Sequence, residues 1–285
     1  MRKTPLISAK QFSKRLFRLC LNIVFSNNPY KVSQLKIKNR YQLVWISEYV
    51  GRKIALKSWE NSESRYFENN LKEGDVCLDV GANVGYYTHL FASKAGPSGN
   101  ILAIEPLERN IRLIELNSTI NGASQFIQTV RAIVSDKVDS QIDFSDTADS
   151  AFSFVINDSN QRRGGSNHIR PGAEMKKIKS TTIDFLVESH HLERVDVVKI
   201  DVEGFEFRVL NGMKRLLSDP VKKPRLMMIE LQSKHLEYYS STIGEVCDFL
   251  NGYGYKPNYI DSKGDLTAYE TQHYDQFHNV FFVAV

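Results

Sequence analysis

The sequence predicts an α/β fold in which a mostly parallel sheet carries helices on both faces. From residue 76 onward, short apolar runs alternate with segments of helical period, the pattern of parallel strands joined by crossover helices. Within that stretch, Val76–Ala95 (VCLDVGANVGYYTHLFASKA) reads as strand, glycine turn and helix, a unit that brings backbone close to a ligand. Acids directly end the apolar runs, at Asp79, Glu105, Asp201 with Glu203, and Glu230. In a doubly wound sheet ligands sit at the carboxyl ends of the strands, so these acids share one edge. A single acid there is a cap or a satisfied polar group. Several together line a site, because buried charge is costly without a partner.

The chain has 285 residues, 42% apolar and 25% charged, enough for one large soluble domain. Its net charge of +4 is unevenly spread. Residues 1–40 hold ten Lys or Arg and no acid, leaving 27 basic and 33 acidic residues beyond them, a net −6. The basic excess belongs to an N-terminal arm. A negative core without an aromatic-and-basic stripe opposes phosphate backbone, so no nucleic-acid partner is expected. Cys20, Cys77 and Cys247 make no metal spacing and read as reduced thiols of a cytoplasmic protein. Leu16–Phe25 is too short and too polar to span a bilayer, and no small-residue cleavage site follows it. As a helix, the arm gathers Phe12, Leu16, Leu19, Cys20 and Ile23 on one side and Gln11, Arg15, Arg18 and Asn22 on another. Two readings follow. Residues 1–40 make a peripheral contact with an anionic membrane, or the helix packs on its own domain or a second subunit with its basic stripe in water.

Leu35–Ser47 alternates around a Lys-Asn-Arg turn and predicts a hairpin. Trp59–Leu71 predicts a helix with Trp59, Tyr66, Phe67 and Leu71 inward. Residues 1–70 are therefore expected to cover a core domain of residues 71–285. In that domain Val76–Val80 is the first strand and Tyr86–Ala95 the first helix. Asn100–Ile104 is the second strand, and the helix Leu107–Ile120 is stopped by Asn121-Gly122. Phe126–Val134 reads as a third strand. Between Ser135 and Ser180 the pattern lapses, an insertion of residues 137–180. Its polar stretch Asn157–Gly172 is either a disordered surface loop or a lid presenting Arg162, Arg163, His168 and Arg170 to an acidic substrate. Val195–Val202 is a fourth, buried strand, Phe205–Leu217 a helix and Arg225–Leu231 a fifth strand. Thr242–Leu250 is a helix opened by a capping box of Thr242 and Glu245. Tyr255–Ile260 and Asn279–Val285 close the sheet.

The glycine turn carries the first chemical signal. Gly81 permits a tight turn, and Gly85 lets the helix start close to the strand. Free amides at that helix start suit an anionic group, and Asp79 is expected to face the loop and attract a cation. A dinucleotide fingerprint counted from Gly81 needs glycine at 83 and 86, where this chain has Asn83 and Tyr86. Glu105, 26 residues after Asp79, can accept both hydroxyls of a ribose. Asp201 and Glu203 are two apart, so in extended backbone they point to one side, with Gly204 turning the chain into the next helix. Glu203 and Glu206 either favour that helix's N-terminus through its dipole, or Asp201 and Glu203 face a reacting centre.

The arrangement D-x-G-x-N-x-G resembles the loop that holds S-adenosylmethionine in Rossmann-like methyltransferases. VCLDVGANVGYYT, AIEP, VVKIDVEGFEFRVLNGM and MMIELQ, in this order and spacing, resemble the FkbM family of S-adenosylmethionine-dependent methyltransferases. The resemblance runs from about Glu60 to the C-terminus. It implies a Rossmann-like class I methyltransferase fold: seven strands, the last one, Asn279–Val285, antiparallel and inserted beside Arg225–Leu231. It implies S-adenosylmethionine as cofactor, with contacts from Asp79, Gly81, Ala82, Asn83, Gly85, Thr88, Glu105 and Pro106. Asp79 and Gly81–Gly85 would serve the methionine part, Glu105 the ribose, and Asp201 would lie near the methyl donor. It also implies O-methylation of a hydroxyl on a small-molecule or glycan acceptor, a sugar or natural product.

Such a hydroxyl needs a base, and the candidates are His235, Asp201, Glu203 and Glu230. A lone histidine beyond the fifth strand is otherwise a surface residue. The carboxylates of Asp201, Glu203 and Glu230 suit a hard divalent cation, but their spacing is no metal motif, so no metal site is assigned. The competing function classes are a catalytically silent Rossmann-like binding protein and a nicotinamide-dependent oxidoreductase.

Overall fold

The computed structural model describes residues 32–38, 40–45, 48–156 and 172–285. The arm helix expected around Phe12–Val24 and nearly all of the polar stretch 157–172 fall outside the described residues. Among the described residues no helix is long and apolar enough to cross a membrane.

The chain opens on the expected hairpin, β1 (Val32–Ile37) antiparallel to β2 (Arg40–Trp45). A short helix α1 (Tyr49–Ala55), which the sequence reading missed, and α2 (Asn61–Asn70) follow. Then come β3 (Val76–Val80), α3 (Tyr86–Ala95), β4 (Asn100–Ile104) and α4 (Glu108–Ile120), within a residue of expectation. The expected third strand is instead two. Residues Ile127–Val130 (β5) pair with β4, whereas Ile133–Val134 (β6) leave that sheet. The chain turns away at Arg131-Ala132, so one apolar run serves two sheets.

The lapse after Ser135 hides a second sheet. Gln141–Asp146 (β7), Phe154–Val155 (β8) and Glu174–Thr181 (β9) join β6 in the order β6-β9-β7-β8. The chain then runs through α5 (Ile183–Ser189), β10 (Val197–Ile200), α6 (Glu206–Asn211), α7 (Lys214–Ser218) and β11 (Leu226–Glu230). The single helix expected over Phe205–Leu217 is broken at Gly212-Met213. A Cβ at Gly212 would stand 2.0 Å from the Ser135 carbonyl oxygen, so the backbone passes there only as glycine. Helices α8 (Ser233–Tyr238) and α9 (Ile243–Gly252) and strands β12 (Tyr255–Ile260), β13 (Leu266–Ala268) and β14 (Asn279–Ala284) complete the chain. Thr242 caps α9 by accepting from the Glu245 amide, 3.2 Å, and its hydroxyl donates to the Glu245 carboxylate.

The central sheet has the order β13-β12-β14-β11-β10-β3-β4-β5. Strands β5, β4, β3, β10 and β11 are parallel, and β14 is antiparallel between β11 and β12. This is the expected seven-stranded sheet with one short edge strand, β13, added. The strand order reverses between β3 and β10, which is where such folds open a crevice.

The pleat sorts side chains between two cores. Leu78, Val80, Val198 and Ile200 face the core under α5, α6, α7 and α9. Cys77, Val197 and Met228 face the other core, with Phe67 and Phe91. By the same period of two, Asp79, Lys199 and Glu230 project on the second face. Lys199 and Asp79 are register partners on adjacent strands.

The hairpin is fastened to α4 by asparagines. Asn117 bonds both the amide (2.6 Å) and carbonyl (3.0 Å) of Leu43, and Asn121 bonds both backbone groups of Tyr41. The outer edge of β2, which would otherwise invite another strand, is thereby paired to side chains.

Candidate functional site

The carboxyl ends of β3, β4, β10 and β11 open into a cavity of about 750 Å³. Its wall includes Gly81, Ala82, Asn83, Glu105 and Pro106, and also Asp201, Glu203, Glu230 and His235. Nine of the twelve residues singled out by the sequence thus meet in one space. The other three, Asp79, Gly85 and Thr88, stand behind the wall.

The glycine loop is built by close approach. A Cβ at Gly81 would fall 1.8 Å from the carbonyl oxygen of Asp201, and its φ is +74°. The two crossing loops therefore touch through backbone alone. Gly85 has φ +78° and its Cβ would meet Ile114 of α4 at 2.8 Å, so the close approach found there is to α4 rather than the expected one to the strand.

In the loop that precedes the helix the amides are already engaged. The amides of Gly81 and Ala82 both donate to the Ile104 carbonyl, Asn83 to Glu105, and Gly85 to the Ala82 carbonyl. These four donors are turned into the protein. The expected role of Asp79 changes. It is fully buried, accepts from Thr88 Oγ1 at 2.5 Å, and its cation is the chain's own Lys199, 3.9 Å from Oδ1. Burial raises the Asp79 pKa, and Lys199 works against that rise.

Lys199 is the cation at the centre of the site, and the sequence reading passed over it inside an apolar strand. It is buried, donates to Asp201 Oδ2 at 3.0 Å and to the Gly81 carbonyl at 3.2 Å, and lies 5.6 Å from the centre of the Tyr87 ring. Burial opposes its charge, but Asp201 and Asp79 outweigh burial and hold its pKa above the usual lysine value. Among the described residues it is the one Lys or Arg that lines the cavity.

Glu105 is 5% exposed. Oε1 accepts from the Leu107 amide (3.0 Å) and Asn110 (3.2 Å), and Oε2 from the Asn83 amide (2.9 Å). A carboxylate has about four acceptor positions. The remaining one is on Oε2. Burial pushes this carboxyl up to about 7 against the pull of its hydrogen bonds.

Asp201, Glu203 and Glu230 each bring a carboxylate oxygen within 4.8 Å of the others. The convergence arises differently from the extended geometry the sequence suggests. Strand β10 ends at Ile200, and Glu203 occupies a left-handed turn at φ +57° before Gly204 at +100°. A Cβ at Gly204 would meet the His235 carbonyl oxygen at 2.3 Å, so this turn sits directly on α8. That contact brings His235 Nδ1 to 3.3 Å from Glu203 Oε2. Gln232 donates to Glu230 Oε1 at 3.0 Å. Burial first, and the Asp201 charge second, push Glu203 and Glu230 well above the usual carboxylate range. Burial lowers the His235 imidazole below its ordinary value. Glu206 plays the helix-start role: its Oε1 accepts from the Val202 and Gly204 amides, both at 3.1 Å. The carboxylate triplet has the oxygen donors a hard divalent cation takes.

Glu60 is a further site residue that the sequence reading did not single out. It precedes α2 in a left-handed conformation, lines the cavity and accepts from Tyr87 Oη at 2.5 Å. Burial raises it to about 7. Its only signal was its place next to Trp59 at a helix start.

The description "Methyltransferase FkbM domain" fits residues 79–257, from the buried acid of β3 to the middle of β12. The chain belongs to the FkbM methyltransferase family. The cofactor of this family member is S-adenosylmethionine. Methyltransferase 1 of Beauveria bassiana is 22% identical over 200 residues, 68% of this chain and 73% of that protein. The hexuronic acid methyltransferase AglP of Haloferax volcanii is 30% identical over 158 residues, 55% of this chain and 58% of that one. The crystal structure of Methyltransferase FkbM from Methylobacillus flagellatus aligns at 12% identity and a TM-score of 0.45, covering 77% of this chain and 50% of that one. This chain thus spans half to three quarters of the length of these relatives. Glu60, Tyr49 and Trp59 lie N-terminal to the family match, so this FkbM member completes its cavity with residues from its own cover.

Proposed function

We propose that this FkbM member transfers a methyl group from S-adenosylmethionine to a hydroxyl oxygen of a sugar or glycan. The observation that carries the proposal is the meeting of Asp201, Glu203, Glu230 and His235 in the cavity that the glycine loop and Glu105 also line. The donor set suits the cofactor. Gly81 lets the β3 loop lie directly against the Asp201 backbone, which sets the floor of the cavity. Glu105 retains an acceptor for a ribose hydroxyl. Leu107, Ala132, Ile133, Val134 and Phe144 offer an apolar slot for a flat base. The excess of acids over cations in the described lining suits a ligand bearing sulfonium and ammonium charges. The cofactor supplies a methyl group already activated on sulfur.

The protein's own tasks are then to orient the acceptor and take its proton. His235 is assigned as base, with the Glu203 carboxyl, 3.3 Å from Nδ1, orienting the ring. Asp201, held by Lys199, and Glu230, held by Gln232, are assigned to the acceptor's hydroxyls. The name of the Haloferax relative supports a sugar as acceptor class. The experiment is incubation of the full chain with S-adenosylmethionine carrying a carbon-13 methyl group and a panel of glycans and lipid-linked sugars. A labelled methoxy carbon in the product is the expected result. A label found on nitrogen or carbon would replace the oxygen assignment.

A further inference from the structure

Three aromatic side chains stand at the mouth of the cavity: Tyr49, Trp59 and Phe152. Their ring centres lie 6.3 Å apart for Tyr49 with Trp59, and 6.3 Å for Tyr49 with Phe152. Tyr49 is 40% exposed and Phe152 37%. The backbone beneath them is tied down from three directions. The Tyr49 amide donates to Asp149 at 2.7 Å, the Ser150 amide to the buried Glu48 at 2.9 Å, and Arg109 grips Asp146 at 2.5 Å and the Thr147 carbonyl at 2.8 Å. The backbone that carries the rings is therefore a fixed frame, and the Lys53 ammonium lies 5.4 Å from the centre of the Tyr49 ring.

From these rings the wall continues to carboxylates. Glu60 follows Trp59 directly and bonds Tyr87, and Tyr87 adjoins Lys199, which bonds Asp201. Four acids line this side, Glu60, Asp201, Glu203 and Glu230, and the Lys or Arg that lines the cavity among the described residues, Lys199, is already shared between Asp201 and the buried Asp79.

We infer that the ring platform and the acid wall form a sugar subsite that accepts an uncharged or amino-bearing pyranose and rejects a uronic acid. This rests on the sugar-hydroxyl reading above and narrows it. A pyranose has one face of polarised C–H bonds, which the negative face of an aromatic ring attracts, and a rim of hydroxyls that carboxylates accept from. An amino group adds a cation that both rings and acids favour. A sugar carboxylate would enter the partly desolvated space in which burial already opposes the charge of Glu203 and Glu230, and the lysine lining it among the described residues is committed to Asp201 and Asp79. Leaving a charge desolvated and unpaired is one way in which sites exclude the wrong ligand. The acceptor class of this chain therefore differs from the uronate named for its Haloferax relative.

The probes are methyl glycosides of several hexoses, their 2-amino forms and their 6-carboxylate forms. They are added to the full chain saturated with S-adenosylhomocysteine. Trp45 is fully buried, so fluorescence changes on titration report Trp59. We expect at least one neutral or amino glycoside to shift that signal saturably, and its uronate to bind at least about tenfold more weakly. Tyr49→Ala and Trp59→Ala, the second read by calorimetry, should each weaken that glycoside by about tenfold or more, with the affinity for S-adenosylhomocysteine kept. A uronate that binds as tightly as its neutral counterpart overturns the inference. So does the absence of any glycoside binding, or unchanged binding in both variants, while S-adenosylhomocysteine still binds. If S-adenosylhomocysteine itself does not bind, the methyltransferase reading falls first and takes the subsite with it.

Discussion

Gly81→Ala should cost this protein its cofactor. The added Cβ would sit 1.8 Å from the Asp201 carbonyl oxygen and 2.9 Å from its carbon, both backbone atoms that cannot swing away. A left-handed φ costs an alanine about 1–2 kcal/mol, and overpacking a rigid site about 1–3 kcal/mol more. At roughly 2–4 °C per kcal/mol for a chain of this size, melting should fall by about 5–15 °C. The larger effect is on binding. To relieve the clash the loop must leave Asp201, which carries with it the Lys199 bond to the Gly81 carbonyl. We expect S-adenosylhomocysteine affinity to drop by about 100-fold or more by calorimetry. Gly264→Ala is the control. It shares a positive φ, +91°, but its Cβ meets nothing within 4 Å, so it should show the backbone cost alone with binding unchanged. Equal behaviour of the two variants would mean that the crossing of the β3 and β10 loops does not shape the site.

The second large effect is on turnover. Loss of a general base typically costs about 10²–10⁴ in rate. His235→Ala should show that loss in kcat with S-adenosylhomocysteine affinity within about threefold of the parent. Alanine at Asp201, Glu203 and Glu230 should cost less, and Glu203→Gln least, because an amide can still orient Nδ1. Burial lowers the imidazole below its ordinary 6.5, so the rising limb of kcat/KM against pH should lie below that value. Wild-type turnover in all four alanine variants would remove these residues from the chemistry. A full loss confined to Asp201→Ala would move the base to that carboxylate.

The elements nearest the site were the most legible in the sequence. Strands β3 and β4 and helix α3 have the predicted bounds, since an apolar run closed by an acid and a glycine permits few alternatives. The second sheet was not legible. Only one side of its strands is buried, and β9 alternates through EMKKIKST with Lys177 and Lys179 outward and Lys176 inward against Asp146, so composition there reads as loop. Lys199 was hidden by its neighbours. Four apolar residues flank it in VDVVKI, and the informative fact was the lysine itself, since a cation inside a two-face-buried strand demands acids beside it. Those acids, Asp79 on the adjacent strand and Asp201 at the strand end, had each been noticed separately as ligand contacts. Glu203 reached the predicted cluster by an unpredicted route, because a left-handed turn at a non-glycine residue leaves no mark in composition. Glu60 and the ring platform depend on how the N-terminal cover lies over the crevice, a tertiary matter that spacing along the chain does not encode.

The central claim, a site cut for S-adenosylmethionine at the β3–β10 crossing, is tested most directly by isothermal calorimetry of the full chain against S-adenosylhomocysteine and against NAD. The account predicts saturable one-site binding of S-adenosylhomocysteine, lost in Gly81→Ala, and no heat of binding from NAD. Binding of NAD with none of S-adenosylhomocysteine would contradict it.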